Sequence, residues 1–349
     1  MLSSLLLHLQ PSRVTVRSLR FTTTLGLGLA SFFLFVVLTL TGLALMLYYV
    51  PYPDAAYRSM MDLEHAVTFG MLLRNAHRWA AHGMVVTVFL HLCRVFFMGS
   101  YKPPRELNWV VGVALLLLTL SLSFTGYLLP WDQLAFWAIT VGTSIVAYAP
   151  GLGEGVRFLL LGGHDIGAAA LLRFYVLHCV VLPLLMTGFV ALHFWRVRKD
   201  GGLAAPAGYG RRRIPAWPHL LFRELTLFVL VVALVNCAAL FWDAPLEAPA
   251  DPTRTPNPAL APWYFLGLQE LVHYGALLGG VVVPVMIVLA LFALPYLDRG
   301  PAGVGVWFAP ERRFANSLFA VLALAVVVLT VIGTFFRGPN WAWVWPWAP

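Results

Sequence analysis

The chain has 349 residues, of which 60% are hydrophobic and only 11% are charged. This composition excludes an ordinary soluble domain and a disordered chain, and it predicts a protein embedded in a lipid bilayer. The formal net charge of +8 would suit a nucleic-acid partner, but the positions of the basic residues indicate membrane topology instead.

Seven segments are long and apolar enough to cross a bilayer as helices, which takes about 20 residues each. They lie at residues 24–49, 79–99, 109–129, 174–195, 221–242, 277–297 and 315–336. Residues 1–10 are apolar but precede the first arginines, which favours a short helix on the membrane surface over a cleavable signal. The sequence therefore predicts an all-α, polytopic membrane protein. It divides into residues 1–200 with four spans, a linker at 201–220 rich in Gly, Pro and Arg, and residues 221–349 with three spans.

The basic residues are distributed asymmetrically between the two sides that seven spans define. The outer side carries six of the 23: Arg58, Arg74, Arg157, Arg173, Arg254 and Arg337. With Arg78 uncounted near a span end, the remaining sixteen fall on the side of the N-terminus. The positive-inside rule therefore predicts a cytoplasmic N-terminus in a bacterial inner membrane, a periplasmic C-terminus and no nucleic-acid partner.

Four histidines occur as two spaced pairs inside apolar segments: His77 with His91, and His178 with His193. Spacings of fourteen and fifteen residues place the members of each pair roughly 21–23 Å apart along a helix and on nearly the same face. Unrelated polar residues at helix interfaces would have no reason to repeat at matching spacing. The pattern predicts two bis-histidine metal centres stacked across the membrane inside a four-helix bundle.

Glycines repeat at the same interval as the first histidine pair. Gly28 and Gly42 are fourteen residues apart in the first span, and Gly112 and Gly126 are fourteen apart in the third. Helix packing explains many glycines in membrane helices. The shared interval favours a second explanation, in which these helices form walls against which two flat cofactors lie.

Three arginines lie close to the histidines in sequence: Arg78, Arg94 and Arg198. Each is a candidate partner for the carboxylates of a bound cofactor. The alternative is ordinary anchoring of a basic side chain at the membrane surface.

Several motifs resemble the cytochrome b/b6 family, over roughly residues 20–340. They are RNAHRWAAHGMVVTVFLHLCRVFFMGSY, GYLLPWDQLAFW, RFYVLHCVVLPLLMTGFVALHFWRVRKDG, NPALAPWYFLGLQEL and ALPYLDRG. The interval of fifteen between His178 and His193 resembles the chloroplast-type branch. Here both halves of the family occur in one chain, with seven spans rather than eight.

The resemblance implies ligands, substrate and partners. His77 and His178 would bind an outer haem b, and His91 and His193 an inner one. A quinol would bind on the outer side near Tyr127, Pro130, Trp131, Trp263 and Tyr264. It would reduce a Rieske-type iron–sulfur protein and, through the haems, a quinone near the inner face. A c-type cytochrome would complete a multisubunit complex, with a dimer as one option.

The chain departs from the family at two positions. The family motif Pro-Glu-Trp-Tyr, whose glutamate takes a proton from quinol, corresponds here to Ala261-Pro262-Trp263-Tyr264. Glu270, with His273 three residues on, is a candidate for a relocated proton acceptor whose pKa burial would raise. The alternative for Glu270 is a solvated loop acid. Gly26 stands where the chloroplast-type branch has a cysteine, so we predict no covalent haem.

Two further interpretations of the function of the chain remain open. The chain could be a dihaem anchor that exchanges electrons between quinone and a subunit other than a Rieske protein, as the missing glutamate would suit. A passive channel or transporter is less well supported, since it needs no paired histidines.

His82 lies about 140° around the helix from His77, which favours a packed or hydrogen-bonded residue over a ligand.

Overall fold

The computed structural model describes residues 12–206, 208–209 and 212–347. The surface helix predicted over residues 1–10, and Arg211 in the linker, lie outside the described residues. We label eleven helices of the described chain in order: α1 Leu27–Met46, α2 Pro53–His65, α3 Gly70–Phe97, α4 Glu106–Tyr127, α5 Gln133–Ala147, α6 Gly153–Leu161, α7 Ala168–Lys199, α8 His219–Phe241, α9 Trp263–His273, α10 Leu278–Leu297 and α11 Pro310–Phe335.

Seven of these helices are long and apolar enough to cross a membrane: α1, α3, α4, α7, α8, α10 and α11. They correspond in order to the seven predicted spans. The prediction of an all-α, polytopic fold is therefore confirmed.

The second spanning helix begins earlier than hydropathy indicates. It starts at Gly70, whereas the predicted span starts at residue 79, because the outer turns of α3 carry polar side chains. Asn75 shows how that polarity is satisfied. Its Nδ2 donates to the carbonyl oxygen of Ala239 at 3.0 Å and to Asp243 Oδ1 at 2.9 Å, and its Oδ1 accepts from the backbone N–H of Ala244 at 2.8 Å. These bonds attach α3 to the end of α8.

The connecting segments meet alternately at two ends of the bundle. At the end predicted to be inner, Arg105 Nε donates to the Gly202 carbonyl at 3.2 Å and Lys102 Nζ lies 2.7 Å from Asp298 Oδ1. At the end predicted to be outer, Gln133 Nε2 donates to the Arg254 carbonyl at 3.2 Å. This alternation agrees with the order of the spans, and the assignment of the cytoplasmic side stays a prediction.

The predicted linker contains a short strand. Arg213–Pro215 (β2) pairs antiparallel with Arg13–Thr15 (β1), just before α1. Further along, Ala239 of α8 and Ala80 of α3 are buried in one apolar cluster. The two halves of the chain therefore share a core in addition to this strand pair.

The spanning helix α7 is not a regular α-helix throughout. Within α7, the segment Leu177–Val181 forms a π turn, in which the backbone N–H of Leu182 bonds to the carbonyl of Leu177. His178 lies inside this turn. Single π turns within helices are rare and occur frequently at functional sites.

Candidate functional site

The four histidines predicted from spacing form two facing pairs between α3 and α7. The ring centres of His77 and His178 are 6.3 Å apart, and those of His91 and His193 are 6.4 Å apart. Two metal–imidazole bonds of about 2 Å, with about 1 Å from each nitrogen to its ring centre, span about 6 Å. Each pair is therefore spaced to bind one metal ion between two imidazoles.

Hydrogen bonds orient the outer pair. His77 Nδ1 lies 2.8 Å from Thr41 Oγ1, and that hydroxyl donates its own hydrogen to the Val37 carbonyl at 2.7 Å. The ring therefore donates from Nδ1–H, which leaves the Nε2 lone pair for a metal. His178 Nδ1 and Thr125 Oγ1 repeat the arrangement at 3.1 Å.

Each of the four spaced glycines faces one histidine ring. A Cβ added at Gly126 would lie 2.5 Å from Cε1 of His178, and one added at Gly28 would lie 2.8 Å from Cε1 of His91. The corresponding distances are 3.2 Å from Gly42 to His77 and 3.7 Å from Gly112 to His193. These distances show that the glycines contact the imidazoles, and their predicted role as walls for flat cofactors stays a prediction. The glycines thus let α1 and α4 approach the histidine rings.

No set of three or more His, Cys, Asp or Glu side chains comes together as a metal site in the part of the chain that the structure describes. Each histidine pair supplies two nitrogen ligands. A bare transition-metal ion takes four or more ligands. The donor set therefore fits a porphyrin iron, since the macrocycle would supply the remaining nitrogen ligands.

The three candidate arginines have different surroundings. Arg78 lines a cavity beside the outer pair. Arg94 is buried, and its guanidinium donates from Nε and Nη2 to the carbonyl oxygen of Thr23 at 2.9 and 2.6 Å. Arg198 is exposed in the last turn of α7. Of the three, Arg78 has the position that a partner of a cofactor carboxylate requires at the outer pair.

The cavity beside the outer pair has a volume of about 290 Å³. Three of the five residues predicted to bind quinol line it, namely Tyr127, Pro130 and Tyr264. Trp131 does not line it; this side chain is buried, with 6% of its surface exposed, and packs against Phe136. Trp263 does not line it either, but it donates a hydrogen bond to His82, which does.

Asp132 is a cavity residue that the sequence interpretation did not assign. Its Oδ1 accepts from the N–H of Ala135 at 2.9 Å and caps α5, and its Oδ2 accepts from the N–H of Glu247 at 3.1 Å. Burial raises the pKa of Asp132 above its ordinary value, although both N–H groups act in the opposite direction. An aspartate directly before an apolar helical run is the signal that predicts such a cap.

Glu270 lies in α9 but not in the cavity wall. It is fully buried and paired with Arg337, and Trp341 Nε1 donates to its Oε2 at 2.9 Å. Burial raises the pKa of Glu270, but the hydrogen bonds from Arg337, Trp341 and Tyr274 outweigh it, so the pKa falls below its ordinary value. The prediction of a raised pKa is therefore wrong, and so is the alternative of a solvated acid. The reason is Arg337, 67 residues further along the chain.

His273 does not share the surroundings of Glu270. It is exposed, and its ring contacts that of Tyr274 at 5.5 Å. Three residues on a helix amount to about 300°, which leaves the two side chains about 60° apart around the helix axis. At the edge of the buried face of α9, this angle separates the buried Glu270 from the exposed His273. The two residues are therefore not brought together in one site.

His82 contacts the segment that replaces the family motif. Trp263 Nε1 donates to His82 Nδ1 at 3.2 Å, and the rings of His82 and Tyr264 are 5.8 Å apart. His82 and Tyr264 both line the cavity. The prediction that His82 is a hydrogen-bonded residue is confirmed, and its partner is Trp263 of the motif.

Two facing histidine pairs between membrane helices, with a cavity at one of them, fit the class of haem-binding membrane cytochromes. The family model "Cytochrome b/b6/petB" matches residues 14–201, and "Cytochrome b(C-terminal)/b6/petD" matches residues 249–347. The chain belongs to the cytochrome b/b6 family.

Individual relatives agree. Cytochrome b6 of Heliobacterium mobile is 45% identical over 175 residues, which cover 50% of this chain and 82% of that protein. The cytochrome bc complex cytochrome b subunit of Chlorobaculum thiosulfatiphilum is 34% identical over 320 residues, which cover 89% of this chain and 72% of that protein. A solved structure titled hyperthermophilic respiratory Complex III matches with a TM-score of 0.79 at 26% identity, over 92% of this chain and 84% of that one.

Proposed function

We propose that this chain is the dihaem cytochrome b subunit of a bc-type complex that oxidises quinol. Electrons would move between two b haems across the membrane, coupled to proton transfer. The observation that carries this proposal is the pair of facing histidine sets, with ring centres 6.3 and 6.4 Å apart, beside a cavity at the outer set. A b haem bound by two imidazoles changes between ferric and ferrous and so passes single electrons.

The chain's own residues bind and orient the cofactors and the substrate. His77 with His178, and His91 with His193, would hold the irons, and Thr41 and Thr125 fix the ring orientation of the outer ligands. Arg78 would pair with a haem carboxylate. The quinol would occupy the outer cavity against Tyr127, Pro130 and Tyr264, with Trp131 and Trp263 supporting its wall.

The proposed partners and location follow from the same function. No iron–sulfur ligand set of cysteines occurs in the sequence, so a Rieske-type protein and a c-type cytochrome would supply the outer acceptors. The complex would lie in a bacterial cytoplasmic membrane, with the N-terminus on the cytoplasmic side. The names of two relatives support the proposal that the chain belongs to such a complex. They are the cytochrome bc complex cytochrome b subunit of Chlorobaculum thiosulfatiphilum and the menaquinol:cytochrome c reductase cytochrome b subunit of Bacillus subtilis.

A second candidate is a dihaem anchor that exchanges electrons with quinone without bifurcation. It is favoured by Pro262, which stands where the family motif has its glutamate. The subunit and cofactor content of the native complex separates the two. A Rieske protein with two extractable b haems per chain supports the first, and a multihaem or molybdenum partner supports the second. Fewer than two b haems per chain would contradict both.

Replacing His91 with leucine should remove the inner haem and leave the outer one, because His91 faces only His193. We expect the haem content of the purified protein to fall by about half in a pyridine haemochrome assay, because the variant lacks one of the two histidines that would hold the inner haem. His164→Leu, at an exposed outer-loop histidine, is the control and should retain both haems. Retention of two haems in His91→Leu would refute this ligand assignment.

Thr41→Val should raise the midpoint potential of the outer haem and leave the inner haem unchanged. The variant removes the acceptor of His77 Nδ1–H, so the imidazole becomes a weaker electron donor to iron. A tenfold change in the relative affinity for ferric and ferrous iron corresponds to about 59 mV for one electron, so the expected shift is tens of millivolts. The control is Thr39→Val on the same helix, whose hydroxyl bonds only to the Phe35 carbonyl. Equal potentials in both variants would show that Thr41 does not act on the ligand.

A further inference from the structure

The outer cavity needs a proton acceptor, because quinol releases protons as it loses electrons. The family's glutamate is absent, since Pro262 occupies its place. The identity of the acceptor rests on the proposed function, and it can be sought among the side chains that line the cavity.

Most polar groups at this cavity are unsuited to accept a proton. Burial raises the pKa of Tyr264 to about 12, so its hydroxyl donates at neutral pH. Asp132 is buried, and its carboxylate accepts two backbone N–H groups, one of which caps α5. Protonation would weaken both hydrogen bonds, because hydrogen bonds to an ionised acceptor are the stronger kind. Arg74 and Arg78 are cations, and Glu270 lies outside the cavity in its pair with Arg337. Two candidates remain among the lining residues, His82 in the interior and the exposed Glu247.

His82 lies beside the segment in which the family has its glutamate. Its Nδ1 accepts a hydrogen bond from Trp263, the residue directly after Pro262, at 3.2 Å. Its ring also lies 5.8 Å from that of Tyr264. A ring nitrogen that accepts a hydrogen bond is unprotonated, and the neutral ring then holds its hydrogen on Nε2. An unprotonated ring nitrogen therefore lies beside the altered motif, on a residue that lines the cavity at the outer histidine pair.

We propose that His82 accepts the quinol proton in place of the family's glutamate. The quinol hydroxyl displaces the indole N–H of Trp263 from Nδ1, a neutral hydrogen bond worth only about 1 kcal/mol. The quinol O–H bond then breaks, and its proton forms the N–H bond at Nδ1. The electron goes to a one-electron acceptor, which under the proposed function is a haem iron or the partner's iron–sulfur cluster. His82 holds the proton until it passes toward Glu247, an exposed residue of the cavity lining.

The test uses the intact complex and the variant His82→Asn. An asparagine Oδ1 can still accept the hydrogen bond from Trp263 but is not basic. Because general base catalysis contributes about 10²–10⁴-fold, we expect quinol oxidation to fall by roughly 100-fold. The haem spectra and the dissociation constant for oxidised quinone should not change. His65→Asn, at an exposed histidine of the outer side, should leave turnover unchanged.

Two further variants decide between acceptors. His82→Asn combined with Pro262→Glu restores the family's carboxylate and should recover most of the lost rate, which a merely structural role for His82 would not allow. Full activity of His82→Asn alone would overturn the proposal, as would a loss confined to Glu247→Gln. A wild-type complex with both haems but no quinol oxidation would instead refute the proposed function, so the two failures are distinguishable.

Discussion

Gly126→Ala is expected to displace His178 and to empty the outer haem site. An alanine Cβ at this position would lie 2.5 Å from the Cε1 atom of His178, closer than two carbon atoms pack in protein interiors. That Cε1 atom belongs to an imidazole ring that a hydrogen bond to Thr125 orients. The ring therefore cannot move aside without breaking that hydrogen bond and changing its orientation. We expect about half of the haem to be lost and quinol oxidation to be abolished, measured by the haemochrome assay and by turnover of the purified complex.

Gly112→Ala is the matched control for this prediction. It lies on the same helix, α4, and also faces a histidine, but its added Cβ would be 3.7 Å from Cε1 of His193. This is an ordinary van der Waals distance, so both haems should remain. Equal haem content in the two alanine variants would mean that the close approach at Gly126 does not position the ligand.

Arg337→Leu is expected to destabilise the outer end of the molecule strongly. Glu270 has none of its surface exposed, and the variant would leave its carboxylate buried without its cationic partner. Breaking a buried ion pair in this way costs roughly 3–5 kcal/mol. The measurement is the free energy of unfolding in detergent. The control is Arg157→Ala, which breaks the exposed pair with Glu154 and should cost less than about 1 kcal/mol.

The same pair predicts a pH dependence with a definite sign. The pKa of Glu270 in the folded protein is lowered, so the stability that its ionised form contributes is fully present above the carboxyl's ordinary pKa. This contribution is lost as the pH falls through the lowered value. The stability difference between wild type and Arg337→Leu should therefore shrink under acidic conditions. A constant difference from neutral pH down to strongly acidic pH would show that ionisation of Glu270 is not what Arg337 stabilises.

The sequence alone predicts the spans and the histidine pairs because both are periodic along single helices. Apolar runs of sufficient length and intervals of fourteen or fifteen residues need no knowledge of neighbouring elements. The polar outer turns of α3 were missed because Asn75 is satisfied by residues at the end of α8, which hydropathy along one segment cannot show. The surroundings of Glu270 depend in the same way on Arg337, which approaches from beyond α11.

His82 shows why the residues around the cavity were harder to predict than the two histidine pairs. The angle of about 140° around α3 between His77 and His82 indicates only that the two side chains lie on different faces of the helix. The contact of His82 with Trp263 joins residues 181 positions apart, so it exists only once α9 has packed beside α3. The sequence therefore predicts that the family's carboxylate is missing, while only the folded chain shows that His82 contacts Trp263, the residue next to its place.

The π turn at Leu177–Val181 reconciles the unequal intervals of the two histidine pairs. In a regular helix one additional residue rotates everything beyond it by about 100°, which would turn His193 away from His91. A π turn accommodates one additional residue within a single turn, and here that turn contains His178 itself. The angle around the helix between His178 and His193 of α7 therefore matches the angle between His77 and His91 of α3, although the two intervals differ by one residue. What the fold preserves is the angle between the two histidines around the helix axis, and not the number of residues between them. A relative with one residue fewer in this interval and no π turn would therefore direct the same two rings toward α3.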